Sequence, residues 1–131
     1  MSSNSVAYAV AKYLAGNGFG TLGTDIHVGY LPDNAAGVAV VYAGGQPHKY
    51  VPIDETVCDI YSKNTSAEEA EDKLVAIKNF IHRMHSTDME GHFAYSILAI
   101  GDIEDVQRDQ EYSKVYKLTI QLINRNTSLI S

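Results

Sequence analysis

Apolar residues recur along this chain in two rhythms, and each rhythm predicts an element. Between Asn64 and Ser86, Ala70, Leu74, Ile77, Ile81 and Met84 fall at spacings of four, three, four and three. That is one apolar stripe on an otherwise polar helix, and it predicts a main helix over about 66–86. Ser66 is placed to cap it, with Glu69 three residues later to reach back in a capping box. Glu68, Glu69, Glu71 and Asp72 crowd its start, while Lys78, His82, Arg83 and His85 lie towards its end, the order that the helix dipole favours. A second run of helical spacing, Val6, Val10 and Leu14, predicts an N-terminal helix over about 5–15. Ser3, Asn4 or Ser5 can cap that helix, and Gly16 can end it in a left-handed conformation.

The other rhythm has a period of two. It is cleanest in the stretch 112–124, where Tyr116, Leu118, Ile120 and Leu122 are expected inward and Lys117, Thr119 and Gln121 outward. Asp25 to Tyr30 is a short strand with Ile26 and Val28 on one face, and the glycine-bounded run Val38–Tyr42 reads as a buried central strand. Glu55 to Lys63 sets Val57, Asp59 and Tyr61 against Cys58 and Ile60, and Phe93 to Ile100 sets Phe93, Tyr95 and Ile97 against Ala94, Ser96 and Leu98. Turn chemistry separates these runs at Gly16–Gly23, Leu31–Asn34 and Gly44–Pro47, and the acidic stretch Gly101–Gln110 reads as a loop with room for a short extended piece. Residues 125–131 read as a frayed tail. The expectation is a single α+β domain over 1–131, in the order α-β-β-β-α-β-β. Its mixed, largely antiparallel sheet has about five strands and packs against two helices.

Composition narrows the function classes. The chain has 131 residues, enough for one domain with a real core, of which 45% are hydrophobic and 20% charged. The net charge is −6 and the ten Lys and Arg are scattered, so the basic stripe of a nucleic-acid binder is missing and no sequence-specific nucleic-acid contact is expected. The single cysteine, Cys58, leaves no intramolecular disulfide framework and fits a reducing compartment. The start lacks the pattern of a signal peptide, and no apolar run approaches the ~20 residues that span a bilayer, so no membrane partner is expected. Nine tyrosines without a tryptophan are a composition common at protein contacts. Tyr8, Tyr13, Tyr42, Tyr50, Tyr112 and Tyr116 divide between core and contact in a way that sequence does not resolve.

Candidate chemistry is sparse. Gly18-Phe19-Gly20-Thr21-Leu22-Gly23 matches G-x-G-x-x-G, but a helix precedes it and a strand follows, the reverse of what a dinucleotide pyrophosphate needs. His82, His85, Asp88 and His92 are the one cluster of metal-ligand types, with His82 and His85 a helical turn apart. No cysteine ligand or general-base glutamate accompanies them, and histidine is also favoured at a helix C-terminus. Cys58 lies mid-strand, where a small buried hydrophobe is the commoner role than a nucleophile. Asp102, Glu104, Asp105, Asp109 and Glu111 lack the glycine and terminal glutamate spacing of a calcium loop. No catalytic constellation emerges, and neither an enzyme nor a cofactor is expected.

Four pieces, in this order, carry a family resemblance. They are Ile26-His27-Val28-Gly29-Tyr30-Leu31-Pro32-Asp33, then Val40-Val41-Tyr42-Ala43-Gly44-Gly45-Gln46-Pro47, then the strand Val57–Ser62 running into the main helix. The last is Ala99-Ile100-Gly101-Asp102 with Arg108, ahead of the alternating strand Tyr116–Leu122. The chain resembles the tail terminator proteins of long-tailed bacteriophages, a group also filed as minor capsid or head–tail joining proteins. The resemblance implies a subunit of a hexameric ring that caps the tail tube, stops its polymerisation and joins the tail to the head. The implied partners are further copies of itself, the tail tube protein and a head connector or completion protein. The implied location is the head-proximal end of the virion tail, after synthesis in the host cytoplasm. Contacts are then expected in Gly44–Pro52 and Gly101–Glu111, which gives Gln46, His48, Tyr50, Asp102, Glu104, Asp105, Arg108 and Asp109 as candidates. Lys114 and Lys117 are candidates for pairing with a neighbour. The family often places an arginine at the end of the strand before the second helix, whereas this chain reads Tyr61-Ser62-Lys63 there. A small partner- or ligand-binding module without catalysis shares the same composition, with His82–His92 as its only candidate pocket.

Overall fold

Each predicted helix forms, and local sequence supplies the end of the first and the start of the second. The computed structural model describes residues 2–29, 37–47, 54–64, 66–82, 84–89, 92–106 and 114–126. Helix α1 spans Ser2–Gly16 and α2 spans Ala67–Ile81. The strands are β1 Ile26–Val28, β2 Gly37–Pro47, β3 Asp54–Asn64, β4 Met84–Met89, β5 His92–Asp105 and β6 Lys114–Asn126. The α+β class with a mixed, largely antiparallel sheet on two helices is the one expected, with β4 as a further strand among the described residues.

The end of α1 shows why the glycines follow it. Phe19 N–H donates to Leu14 O at 3.1 Å and Gly18 N–H to Ala15 O at 3.3 Å. This six-to-one and five-to-two pair is a Schellman motif, and its left-handed residue is Gly18, at φ 90°, rather than the expected Gly16. At the start of α2, Ser66 is the extended N-cap and its hydroxyl accepts from Glu69 N–H at 3.3 Å. The return half of the box runs through a third residue. Asn64 Oδ1 accepts from Ser66 N–H at 3.0 Å, and Asn64 Nδ2 donates to Glu69 Oε1 at 3.4 Å.

α2 stops at Ile81, short of the expected residue 86. His82 turns extended at φ −67° and ψ 130°, its N–H still donating to Lys78 O. Its imidazole Nδ1 accepts the Ala99 N–H of β5 at 2.9 Å. The chain then leaves as β4, antiparallel to β5 with Met84 opposite Ile97 and Met89 opposite His92. Ala70, Leu74, Ile77 and Ile81 are buried as the stripe predicts. Met84 also packs on the core, but from a strand.

The sheet order is β1-β2-β3-β6-β5-β4, with β1 parallel to β2 and every other neighbour antiparallel. β6, last in the chain, therefore lies at the middle of the sheet between β3 and β5. Both helices cover one face: α1 lies on β1 and β2 and reaches β4, while α2 lies on β3, β6 and β5. Between helices and sheet, Val10, Leu14, Leu74 and Ile77 meet Val40, Ile60, Leu118 and Ile120 in one buried core. Phe80 ties the helices together, its ring 5.8 Å from that of Tyr13 and 5.1 Å from that of Phe19.

Three expected loops or tails are strand. β2 continues through Gly44–Pro47, β5 continues past Ile100 to Asp105, and β6 includes Arg125 and Asn126. Each of β2 and β5 absorbs an irregularity in register, β2 between Tyr42 and Gly44 and β5 at both Ala94/Ser96 and Ile100/Glu104. The first irregularity in β5 breaks strict alternation, so Ala94 and Ile97 are both buried although the sequence phases set them apart.

Candidate interaction surface

With both helices on one face, the opposite face of the sheet is set by the other phase of each strand. The registers align Val41, Asp59, Thr119 and Ile100 in one row across β2, β3, β6 and β5, and Val57, Gln121 and Leu98 in the next. Thr119 Oγ1 donates to Asp59 Oδ1 at 2.7 Å. Below it, Lys117 Nζ lies 3.5 Å from Glu104 Oε1. On β5 two large apolar side chains stand out of this polar face, Leu98 at 43% and Ile100 at 44% exposure. Tyr42, Tyr95 and Val106 are exposed as well. Water around aliphatic side chains on an ordered strand is unfavourable, so these positions favour cover by another surface.

The strand phases expected for β3 and β6 are those found. Cys58 and Ile60 are buried, as are Leu118, Ile120 and Leu122, while Asp59, Lys117, Thr119 and Gln121 lie on the other face. Leu98 and Ile100 went unrecognised as a surface pair because β5 is apolar in both phases.

Asp102, Glu104 and Asp105 lie on the extension of β5, and Glu104 is paired within the chain to Lys117. Gln46 lies in β2 and Lys114 opens β6. His48, Tyr50, Arg108 and Asp109 lie outside the described residues. Lys63, at the position where the family often has arginine, is buried near the end of β3.

The premise behind the candidate metal cluster changes. His82 caps α2, whereas His85 and Asp88 are in β4 and His92 opens β5, so His82 and His85 do not share a helical face. The Nδ1 of His82 is already engaged by the Ala99 N–H. The side chains of the other three lie outside the described set. Cys58 is enclosed in the core, and burial, followed by the nearby Asp59 charge, pushes its thiol from 9.0 up to about 12. That removes the thiolate that nucleophilic chemistry requires. Gly18 and Gly20 help to line an open cleft of about 390 Å³ with Asp25, Lys63 and Lys73. The segment joins a helix to a short strand, and no helix N-terminus follows it to receive a pyrophosphate.

Comparison with known proteins identifies the chain as a structural protein of bacteriophage tails. The particular family is described as bacteriophage tail terminator protein; its sequence profile matches residues 13–126, and the chain belongs to it. The match runs from the last turn of α1 to the end of β6. No curated protein matches. Among solved structures, a chain of the "Virion of native gene transfer agent (GTA) particle" is similar at 12% identity and a TM-score of 0.56. The alignment covers 95% of this chain and 98% of that one, so the two share a fold over nearly their whole lengths.

Proposed function

We propose that this protein is the tail terminator of a long-tailed phage or phage-like particle. Copies of it close into a ring, expected to be a hexamer, that caps the finished tail tube and stops its growth. The ring then presents a surface to the head connector or completion protein, at the head-proximal end of the tail. The observation that carries this reading is the family match over residues 13–126, which takes in all six described strands and α2. Its work is done by shape and contact, without catalysis or a cofactor. A heterologous contact, in which one patch meets a different patch on the next copy, generates a ring when its rotation closes. Gln46, His48, Tyr50, Asp102, Asp105, Arg108, Asp109 and Lys114 are the contact candidates, and Glu104 and Lys117 enter any interface as an internal pair.

Two measurements test this together. Native mass across protein and salt concentrations is expected to give a discrete sixfold species, alone or on addition of tube ends. Tube protein polymerised with this chain is expected to stop lengthening. Unchanged tube growth, with a monomer or dimer under every condition, overturns the proposal.

A further inference from the structure

Among the described residues, the two edges of the sheet are each half covered, and the covered halves lie at opposite ends. On one edge β1 pairs only with Val38–Val40 of β2, and Gly29 N–H finishes that step by donating to Val40 O at 2.9 Å. Beyond it, Val41–Pro47 has β3 on one side and, among the described residues, no strand on the other. On the far edge β4 pairs with β5 from His92 to Ile97, and His82 finishes the step by accepting the Ala99 N–H. Beyond it, β5 runs on through Asp105, paired with β6 at Ile100, Glu104 and Asp105 and bulged between them at Gly101, with, among the described residues, no strand on its other side.

The registers show that these half-edges are complementary. Pro47 aligns through Asp54 and Asn124 with Ala94, so the open end of β2 is the end at which β4 covers β5. Val38 aligns through Ser62 and Tyr116 with Asp105, so the open end of β5 is the end at which β1 covers β2. A copy shifted by half a strand length along the strand axis can seat its open β2 half in the notch below β4 of its neighbour. Its own β1 then fills the space beyond the end of β5. β2 and β5 run in opposite directions within one sheet, so the new pair is antiparallel.

We propose that neighbouring copies in the ring join edge to edge, the open half of β5 (Ile100–Asp105) of one copy pairing with the open half of β2 (Val41–Pro47) of the next. This rests on the ring reading and names its contact. The exposed side chains agree with it, because Ile100 stands on the open half of β5 and Tyr42 on the open half of β2. A twofold pairing of β5 with β5 would leave β2 open. The head-to-tail pairing uses both half-edges in each copy and can close into a ring.

Cysteine cross-linking on the full chain tests it. Ala43→Cys and Ile100→Cys are made singly and together, and the native Cys58 stays silent because it is buried. Antiparallel neighbours lie about 5 Å apart and successive residues about 3.4 Å along the strand, so a bismaleimide with a spacer of ~13 Å spans the two sites across an offset of about three residues. Under the conditions that give the oligomer, the double variant is expected to yield a covalent ladder ending at the ring. Each single variant is expected to stay uncoupled, and an equal mixture of the two to stop at dimers. An oligomer that gives no ladder overturns the edge pairing and leaves the ring standing. Self-coupling of the single Ile100→Cys variant overturns it in favour of the twofold contact. Absence of any oligomer, with tube ends present, overturns both readings.

Discussion

A methyl group on Gly37 would lie 2.7 Å from the Asp25 carbonyl oxygen, the same oxygen that accepts the Val38 N–H and opens the β1–β2 pairing. The backbone of Gly37 also has φ 153°, so alanine there adds strain to the clash. Gly37→Ala is expected to lower the unfolding free energy by about 1–3 kcal/mol, read from urea denaturation with an unchanged slope. Cys58 gives a second test. Its thiol holds its proton to about 12 in the folded protein against 9.0 when exposed. The unfolded state therefore loses that proton first, and stability falls as pH rises from about 9 towards 12, by at most ~1.4 kcal/mol per unit. A maleimide is expected to label Cys58 only under unfolding conditions, and rapid labelling of the native protein contradicts its burial. The inward phase of Cys58 was legible because β3 alternates cleanly. The exposure of Leu98 and Ile100 was not, because β5 is apolar on both phases and its irregular registers shift the faces.

α2 is an element whose beginning was written locally and whose end was not. Ser66, Asn64 and Glu69 are neighbours in sequence, so the cap could be read, although the route through Asn64 could not. The end depends on a bond from His82 to Ala99, well outside any helical window, and Met84 extends the apolar spacing by coincidence. Ser66→Ala is expected to cost about 1 kcal/mol, and His82→Ala about 1–2 kcal/mol because it strands the Ala99 N–H at a partly buried site. Both are measurable by chemical denaturation. Only the His82 change is expected to speed hydrogen exchange at the Ala99 amide while leaving the start of α2 protected. A histidine that joins the end of a helix to the edge of a strand also explains why His82 and His85 part company.

For the molecule as a whole, the class of fold and the layering were legible from the two hydrophobic rhythms. The strand order was not, since alternation states which face a strand buries and not which strand lies beside it. The two half-open edges follow from that order and from strand lengths that the glycines of β2 and β5 disguise as loops. Ile100→Ser, at a position 44% exposed, is expected to change monomer stability by less than ~0.5 kcal/mol. The same variant is expected to weaken the assembled species tenfold or more in sedimentation, and equal assembly would detach this residue from the interface. The placement of β6 has a further consequence, for synthesis. As the chain emerges in order, β1, β2 and β3 can pair with one another and β4 can pair with β5, but no strand pairing joins the two groups until β6 slots between β3 and β5. Such long-range closure gives high contact order and folding on a timescale of about milliseconds to seconds. β6 is thus the strand that sets the separation of the two outer edges, because it pairs with both halves of the sheet.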